Sequence, residues 1–367
     1  MTAFSYVLAF VGFALLIILH EAGHFAAAKA VGMRVERFSL FFGRTPLRFR
    51  RGETEYGIGW IPLGGFVKIS GMNPMEELPE EVRDRAYHAQ PVWKRIVVIA
   101  AGPAVNLVLA IVLLVVFFAA IGSPGPPTNQ IRNVEPGFPA AGEIRPGDRL
   151  VSVDGRRGDP ATLSQAIASH RCAGPQLDGC RAERPATLVV ERDGKPREIT
   201  LRPVFDDSVP DQAPRPRLGF GYVPGANRTL PLGEAIVLSL DRFWFVTQRT
   251  LELPVRLFNA ETRKEISGPV GGYKVTQEVI ALDIGRVVGV LAVISLSLAV
   301  VNLFPFLPLD GGHIFWAVVE KVRGRPVPLA VMERSGVIGF VLVLIVFTIG
   351  LSNDIPRLIS GEGFGVR

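Results

Sequence analysis

Charged side chains are scarce in this chain of 367 residues: they make up 20% of it, whereas hydrophobic residues make up 48%. A typical soluble domain has about 25% charged residues. Residues 96–121 carry no charge at all and exceed the ~20 residues that a membrane-spanning helix needs. Residues 4–19, 287–307 and 336–351 are further uncharged apolar runs. We therefore expect a multi-pass α-helical membrane protein with about four transmembrane helices.

The amino-terminal apolar run lacks both the basic residues that precede a signal peptide core and a small-residue cleavage site after it. We interpret it as a retained helix. No basic residue precedes it, but many lie between residues 34 and 95, and more follow the run that begins at residue 287. The positive-inside rule assigns both of these loops to the cytoplasm. Both termini and residues 122–284 are then expected outside.

The net charge of +6 could indicate a nucleic-acid partner. Many of the basic residues, however, lie next to apolar runs, which is the usual pattern of membrane proteins beside anionic lipid. We therefore expect contact with membrane lipid and no nucleic-acid partner.

The external segment begins with a proline- and glycine-rich linker and continues as a small α+β domain, residues 128–205. Residues 186–204 are typical of a hairpin that turns at Asp193 and Gly194. Cysteine is nearly absent from the chain, and both cysteines, Cys172 and Cys180, fall in this segment. A disulfide can persist in an external domain, and a pair of free thiols is the alternative.

Residues 230–258 mix apolar and charged residues at helical spacing. This favours an amphipathic helix at the outer membrane interface, with Phe243, Trp244 and Phe245 near the lipid headgroups. The sequence thus divides into two amino-terminal spans with their loop, an external domain, a linker with the interfacial helix, and two further spans. Their predicted bounds are 1–127, 128–205, 206–284 and 285–367.

The cytoplasmic loop contains a β-rich segment, residues 53–72, which glycines interrupt at Gly57, Gly59, Gly64 and Gly65. The segment is too apolar for an ordinary solvated loop. Extended backbone enters a membrane only where it is buried in protein or lines a water-filled cavity. We therefore expect a membrane-associated β-hairpin on the cytoplasmic side, with Gly64 and Gly65 in its turn region.

The first apolar run is followed at once by HEAGH, residues 20–24. On a helix His20 and His24 are four residues apart, so both imidazoles can bind one metal, while Glu21 lies beside that face. Two histidines that hold zinc and a carboxylate that accepts a proton are the chemistry of a metalloprotease. A pair of hydrogen-bonded polar residues at a helix end is the alternative, but ionisable groups inside a membrane usually mark function.

A catalytic zinc site needs about three protein ligands. Asp310, in NLFPFLPLDGGH, is our candidate for the third, because prolines break the preceding helix and two glycines allow close backbone approach. His313 is the rival ligand, and a loop cap after a transmembrane helix is the alternative role for Asp310.

These residues together resemble the bacterial site-2 proteases. HEAGH in a first span, AGPAVN at residues 101–106, SGPVG at 267–271 and NLFPFLPLDGG at 302–312 occur in that order. The closer resemblance is to the branch of the regulator of sigma-E protease, zinc enzymes that cut transmembrane segments within the bilayer. The motifs extend from residue 19 to residue 312, so the resemblance covers nearly the whole chain.

The resemblance implies that His20, His24 and Asp310 bind Zn²⁺, that Glu21 is the general base, and that Asn302 contacts the substrate backbone. It also implies that the hairpin holds an unwound substrate as an added strand. The hairpin residues expected to bind the substrate are Gly57, Ile58, Gly59, Gly64 and Gly65. The expected substrates are single-span membrane proteins such as anti-sigma factors, cut in regulated intramembrane proteolysis in the bacterial inner membrane.

The external domain resembles a PDZ domain on residues 137–155, GFPAAGEIRPGDRLVSVDG. The stretch between Pro139 and Gly147 is shorter than the usual form, and residues 171–180 look inserted. The resemblance implies a PDZ-like fold, with a peptide tail as its expected ligand.

Two other functions fit parts of the sequence. A metal transporter could use the same histidines, but it would need polar residues across the bilayer, and residues 96–121 offer little beyond Asn106. A non-catalytic scaffold could bind peptides through its external domain, but it would have no use for Glu21.

Overall fold

The computed structural model describes residues 3–73, 76–207, 214–259, 263, 266, 268–282 and 285–360. Ser267 of the SGPVG motif, part of the predicted linker and both chain ends lie outside the described residues. The helices are α1 (Ala3–Ala30), α2 (Glu80–Arg83), α3 (Val92–Val116), α4 (Pro160–Ala168), α5 (Leu232–Leu251), α6 (Leu253–Arg256), α7 (Pro269–Leu282), α8 (Arg286–Asn302), α9 (Asp310–Arg323) and α10 (Leu329–Ser360).

The strands are β1 (Val35–Phe42), β2 (Leu47–Arg51), β3 (Thr54–Ile58), β4 (Ile61–Ile69), β5 (Ser123–Gly125), β6 (Ile131–Val134), β7 (Arg149–Val153), β8 (Arg156–Arg157), β9 (Ala186–Arg192), β10 (Lys195–Leu201), β11 (Val204–Asp206), β12 (Arg215–Arg217), β13 (Phe220–Tyr222) and β14 (Gly225–Arg228). The chain divides into two compact units, of which one comprises Met1–Ile121 with Thr229–Arg367 and the other Gly122–Arg228.

Among the described residues, three helices are long and apolar enough to cross a membrane: Val7–Ala30, Val92–Ile121 and Ala330–Ile359. They support an integral membrane protein. The expected span at residues 287–307 is instead a shorter apolar helix, Val287–Asn302. It ends early because Pro305 disfavours helical backbone at the residue before it. Four spans are therefore not confirmed.

The helices of the first unit pack around α3, which contacts α1, α5, α8 and α9. The helix expected at the membrane interface corresponds to α5. Its residue Ala235 shares a buried cluster with Leu114 and Ala292, and Val246 shares another with Ala110 and Leu296. Thus α5 follows α3 and α8 over several turns, whereas a helix lying flat on the membrane would contact only their ends.

Residues 35–69 form a four-stranded sheet in the order β2-β3-β1-β4. Strand β1 pairs in parallel with β3 and antiparallel with β4. The predicted hairpin is therefore wrong, because β1 lies between the two strands that were expected to pair. Gly64 and Gly65 lie inside β4 rather than in a turn.

The second unit is built on a sheet in the order β10-β9-β7-β8, with α4 packed against it. Its core includes Ile131, Leu150, Leu163 and Leu188, each with no exposed surface. The hairpin predicted at residues 186–204 is confirmed. Strands β9 and β10 join at Asp193 and Gly194, whose φ angles of 53° and 74° are those a tight hairpin turn needs.

The second unit extends further than the predicted bounds of 128–205. Strand β5 pairs with β14, and β6 pairs with β13, so the chain returns after the predicted linker to complete the unit. The sequence alone does not reveal these pairings, because the strands are short and nearly 100 residues apart. Cys172 and Cys180 are joined by a disulfide, which decides between the two alternatives.

Candidate metal centre

Helix α1 presents His20 and His24 one turn apart, and each is only 7% exposed. Gly23 lies at the crossing of α1 and α3. A Cβ atom at Gly23 would lie 2.6 Å from the carbonyl oxygen of Ala101, closer than real Cβ atoms approach. Glycine at this position therefore allows the histidine-bearing turn to approach α3.

Helix α3 fixes the ring of His24. Nδ1 of His24 lies 2.9 Å from the carbonyl oxygen of Val98. A carbonyl oxygen can only accept, so Nδ1 carries the proton and a neutral ring has its lone pair on Nε2. Gly102 leaves room for this ring, since a Cβ atom there would lie 2.2 Å from Nε2.

Asp310 is the first residue of α9, and the two glycines after it are buried. A Cβ atom at Gly311 would lie 2.2 Å from the carbonyl oxygen of Leu303, and one at Gly312 would lie 2.4 Å from the amide nitrogen of Leu307. The two glycines thus let the preceding loop fold against the first turn of α9. This packing places Asp310 close to the α1 histidines.

A partly buried ion pair holds α9 against α3. Nη1 and Nη2 of Arg95 donate to the two carboxylate oxygens of Glu320 at 3.0 and 2.5 Å. The pair is bidentate, the geometry in which a guanidinium binds a carboxylate most strongly. It therefore connects the helix that orients His24 to the helix that carries Asp310.

Three potential ligand atoms meet at one point. Nε2 of His20 lies 3.2 Å from Nε2 of His24, and Oδ2 of Asp310 lies 3.2 and 3.4 Å from these two nitrogens. Apart from these nitrogens, the buried Oδ2 has no hydrogen-bond partner in the described part of the chain. Tetrahedral zinc with bonds of about 2.0–2.1 Å separates its ligand atoms by about 3.3 Å. The three residues therefore fit a zinc ion.

Glu21 is outside this ligand cluster and faces the sheet formed by β1–β4. A Cβ atom at Gly65 of β4 would lie 3.0 Å from Cγ of Glu21. The backbone N–H of Val67, also in β4, faces the Glu21 carboxylate. Strand β4 therefore passes directly beside the carboxylate of Glu21.

Residues 8–346 match the sequence model of peptidase family M50, the site-2 proteases. The chain belongs to this family. It is 34% identical over 359 residues to a candidate zinc metalloprotease of Brucella suis, with 92% of each chain covered. It is also 32% identical over 351 residues to the zinc metalloprotease Rip1 of Mycobacterium tuberculosis, covering 84% of this chain and 83% of Rip1. This M50 peptidase is a zinc metalloprotease.

The structure brings one of the two candidate third ligands close to the histidines. Within the described residues, the potential ligand cluster contains His20, His24 and Asp310 but not His313. Asn302 is the last residue of α8 and is half-buried.

The expected substrate-binding residues of the hairpin fall at different places in the sheet. Gly57 and Ile58 lie in β3, with strands on both sides, and Gly59 follows that strand. Gly64 and Gly65 lie in β4, at the end of the sheet order.

Two residues of the AGPAVN motif, residues 101–106, contact the histidines, and the sequence predicted neither contact. Gly102 makes room for the His24 ring, and Nδ2 of Asn106 lies 3.3 Å from Nδ1 of His20. Asn106 is an amide in an otherwise apolar run, and that isolated polarity is the signal that could have identified it.

Proposed function

We propose that this M50 peptidase is an intramembrane zinc protease that hydrolyses peptide bonds within the transmembrane segments of single-span proteins. The observation that supports this most directly is the depth of the ligand cluster. His20 and His24 both lie within the candidate spanning helix Val7–Ala30, and Asp310 reaches them from α9.

His20, His24 and Asp310 would hold the zinc. When bound, zinc supplies a Lewis acid that polarises the scissile carbonyl and makes water acidic enough to attack near neutral pH. Glu21 lies beside the ligands without belonging to them, so its carboxylate is free to accept the proton of the attacking water. It would then pass that proton to the amine nitrogen that leaves.

The free edge of β4 would bind the substrate. β4 ends the sheet order, so one of its edges has no strand partner among the described residues. Ser70 donates its N–H to Arg34 on the β1 side, and alternation along the strand therefore directs the N–H of Val67 to the other edge. An unwound transmembrane segment could add there as a strand, next to Glu21.

Asn302 would contact the substrate backbone near the scissile bond. It ends α8, and the loop that follows leads directly to Asp310. Its amide can both donate to a carbonyl and accept from an N–H, as an extended backbone requires.

The second unit would lie outside the membrane as a PDZ-like domain, with both chain termini on the same side and the β1–β4 sheet in the cytoplasm. The basic residues of the sheet and the disulfide of the second unit support this orientation. A groove in that unit lies between α4 and residues 215–222, lined by Ser164, Ile167, Leu218 and Tyr222 among others. It would accept a peptide tail of the substrate, such as an anti-sigma factor trimmed by another protease.

The hydrolase proposal is tested with tagged single-span substrates and the purified chain in lipid vesicles. Glu21→Gln removes the proton acceptor but neither imidazole, so it should abolish cleavage and leave one zinc bound. Cleavage at the wild-type rate by this variant would end the proposal.

The ligand assignment is tested separately by metal analysis. Asp310→Ala should lower both zinc content and turnover, and His313→Ala should leave the zinc in place. The opposite pattern would move the assignment to His313.

A further inference from the structure

The ring of His20 has a buried polar neighbour that the proposed mechanism does not use. Nδ1 of His20 lies 3.3 Å from the side-chain amide of Asn106 in α3. Asn106 is fully buried, and its Oδ1 has no hydrogen-bond partner among the described residues. Its main chain is anchored, because Oγ of Ser295 in α8 donates to its carbonyl oxygen at 3.0 Å.

Zinc binding by His20 determines which hydrogen bond Asn106 has to form with the ring. A neutral imidazole carries one proton, so a ring whose Nε2 binds zinc has its proton on Nδ1. That N–H is buried and therefore needs an acceptor. Of the two amide atoms of Asn106, only Oδ1 can accept, because the NH₂ group has no lone pair available. A half-turn of the Asn106 side-chain amide exchanges Oδ1 and Nδ2, two atoms of similar size, and directs Oδ1 towards Nδ1 of His20.

We propose that Asn106 is a positioning residue, whose Oδ1 accepts the Nδ1–H of His20 and holds the Nε2 lone pair of that ring on the metal. This inference rests on the proposed ligand role of His20. In this arrangement α3 orients both histidines of HEAGH. It uses a backbone carbonyl, that of Val98, for His24 and a side chain for His20.

The difference between the two acceptors makes the role of Asn106 testable. No substitution removes the carbonyl of Val98, whereas Asn106 can be replaced by a residue that only accepts or by one that does neither. Aspartate keeps an acceptor for Nδ1–H and loses the NH₂ group, and leucine of similar size keeps neither. The two variants therefore separate an acceptor role from a donor role and from a role in packing.

Zinc affinity of the full chain in detergent is measured by competition with a chelator. Orienting partners of metal-bound histidines contribute about 10- to 100-fold to metal affinity, so Asn106→Leu should weaken zinc binding by that factor and Asn106→Asp by less than about threefold. Ser295→Ala removes a hydrogen bond to the main chain of Asn106 and none to its side chain, so it is the matched control and should bind zinc as the wild type does. Melting temperatures of the chelated proteins report any loss of packing.

Equal weakening by aspartate and leucine would overturn the inference, as would wild-type affinity in the leucine variant. A weakening that follows the melting temperature of the metal-free protein would also overturn it, because packing would then explain the effect. His20→Ala provides the separate check of the ligand role. If this variant keeps its zinc, the ligand assignment fails; if it loses zinc and aspartate acts like leucine, the inference about Asn106 alone fails.

Discussion

Gly102 and His24 face each other across the contact between α3 and α1, and a single methyl group on Gly102 would lie 2.2 Å from Nε2 of the histidine. The same ring is held through Nδ1 by the carbonyl of Val98, which lies 2.9 Å away and one turn earlier on α3. The imidazole therefore has no room to move away from an added atom without losing its hydrogen bond. A residue with no functional group thus determines whether the metal ligand can take its position.

Gly102→Ala should therefore abolish activity by displacing His24. Alanine is favoured over glycine inside a helix by about 1 kcal/mol, so helix propensity alone predicts a stabilised protein. We expect instead a loss of zinc affinity of more than about tenfold, measured by chelator competition. Gly272→Ala, in α7, is the control, because nothing in the described part of the chain lies within 4 Å of its Cβ position. Unchanged zinc affinity in Gly102→Ala would contradict the observed packing.

Gly65→Ala should slow cleavage without removing zinc. Its Cβ atom would lie 3.0 Å from Cγ of Glu21 and 3.1 Å from the carbonyl oxygen of Ser39, so Glu21 has to shift. A displacement of about 1 Å in a catalytic group can cost up to about 100-fold in rate. Gly57→Ala is similarly crowded, at 3.1 Å from Cγ2 of Thr45, but lies away from Glu21. If the two variants lose equal turnover, crowding of Glu21 is not the cause.

Glu53, in the turn between β2 and β3, should give the protein a pH-dependent stability. Hydrogen bonds from Arg85, and then from Lys29, lower the pKa of Glu53 from 4.5 to about 2. A carboxyl with a lowered pKa stabilises the fold above its ordinary pKa, and this contribution disappears as the pH falls from about 4.5 to 2.

Glu53→Gln should thus be less stable than the wild type at pH 7 by about 1 kcal/mol or less, since the pair is partly exposed to solvent. The difference should shrink in denaturation curves recorded at decreasing pH below 4.5. Glu80→Gln, at a side chain that is 91% exposed, should show no such difference. A constant difference across this pH range would argue against the ion pair.

The local parts of the candidate site could be predicted from the sequence, because they depend on spacing along one helix. His20, Glu21 and His24 need only a helical repeat, and Asp310 needs only a polar residue after a broken apolar run. The structure brings these residues together as expected. The Asn106 and Gly102 contacts were not predicted, because they depend on which face of α3 meets α1, and an apolar run does not specify that.

The strand order of the β1–β4 sheet could not be predicted for a related reason. Two strand-like runs close in sequence favour a hairpin, and β3 and β4 are such runs. Strand β1, residues 35–42, inserts between them and pairs with both. Non-local pairing of this kind leaves no signal in the turn residues. The end of the second unit was missed likewise, because β13 pairs with β6 far earlier in the chain.

The strand order leads to the last prediction, which distinguishes a substrate-binding edge from a purely structural sheet. Proline at Ile58 should destabilise the fold, because this residue pairs with Leu40 of β1 and Leu47 of β2, and proline removes a ladder donor. Proline at Val67 removes an N–H that points away from β1. Because this N–H also faces the Glu21 carboxylate, the variant should lower kcat/KM for a single-span substrate, while zinc content and melting temperature stay close to those of the wild type.

Val67→Ala keeps the backbone N–H and should be milder, since the proposed pairing uses main-chain groups and not the side chain. Zinc content, melting temperature, KM and kcat of the three variants provide the comparison. If turnover follows the melting temperature across all three, the sheet only supports α1, and the free edge of β4 does not bind the substrate.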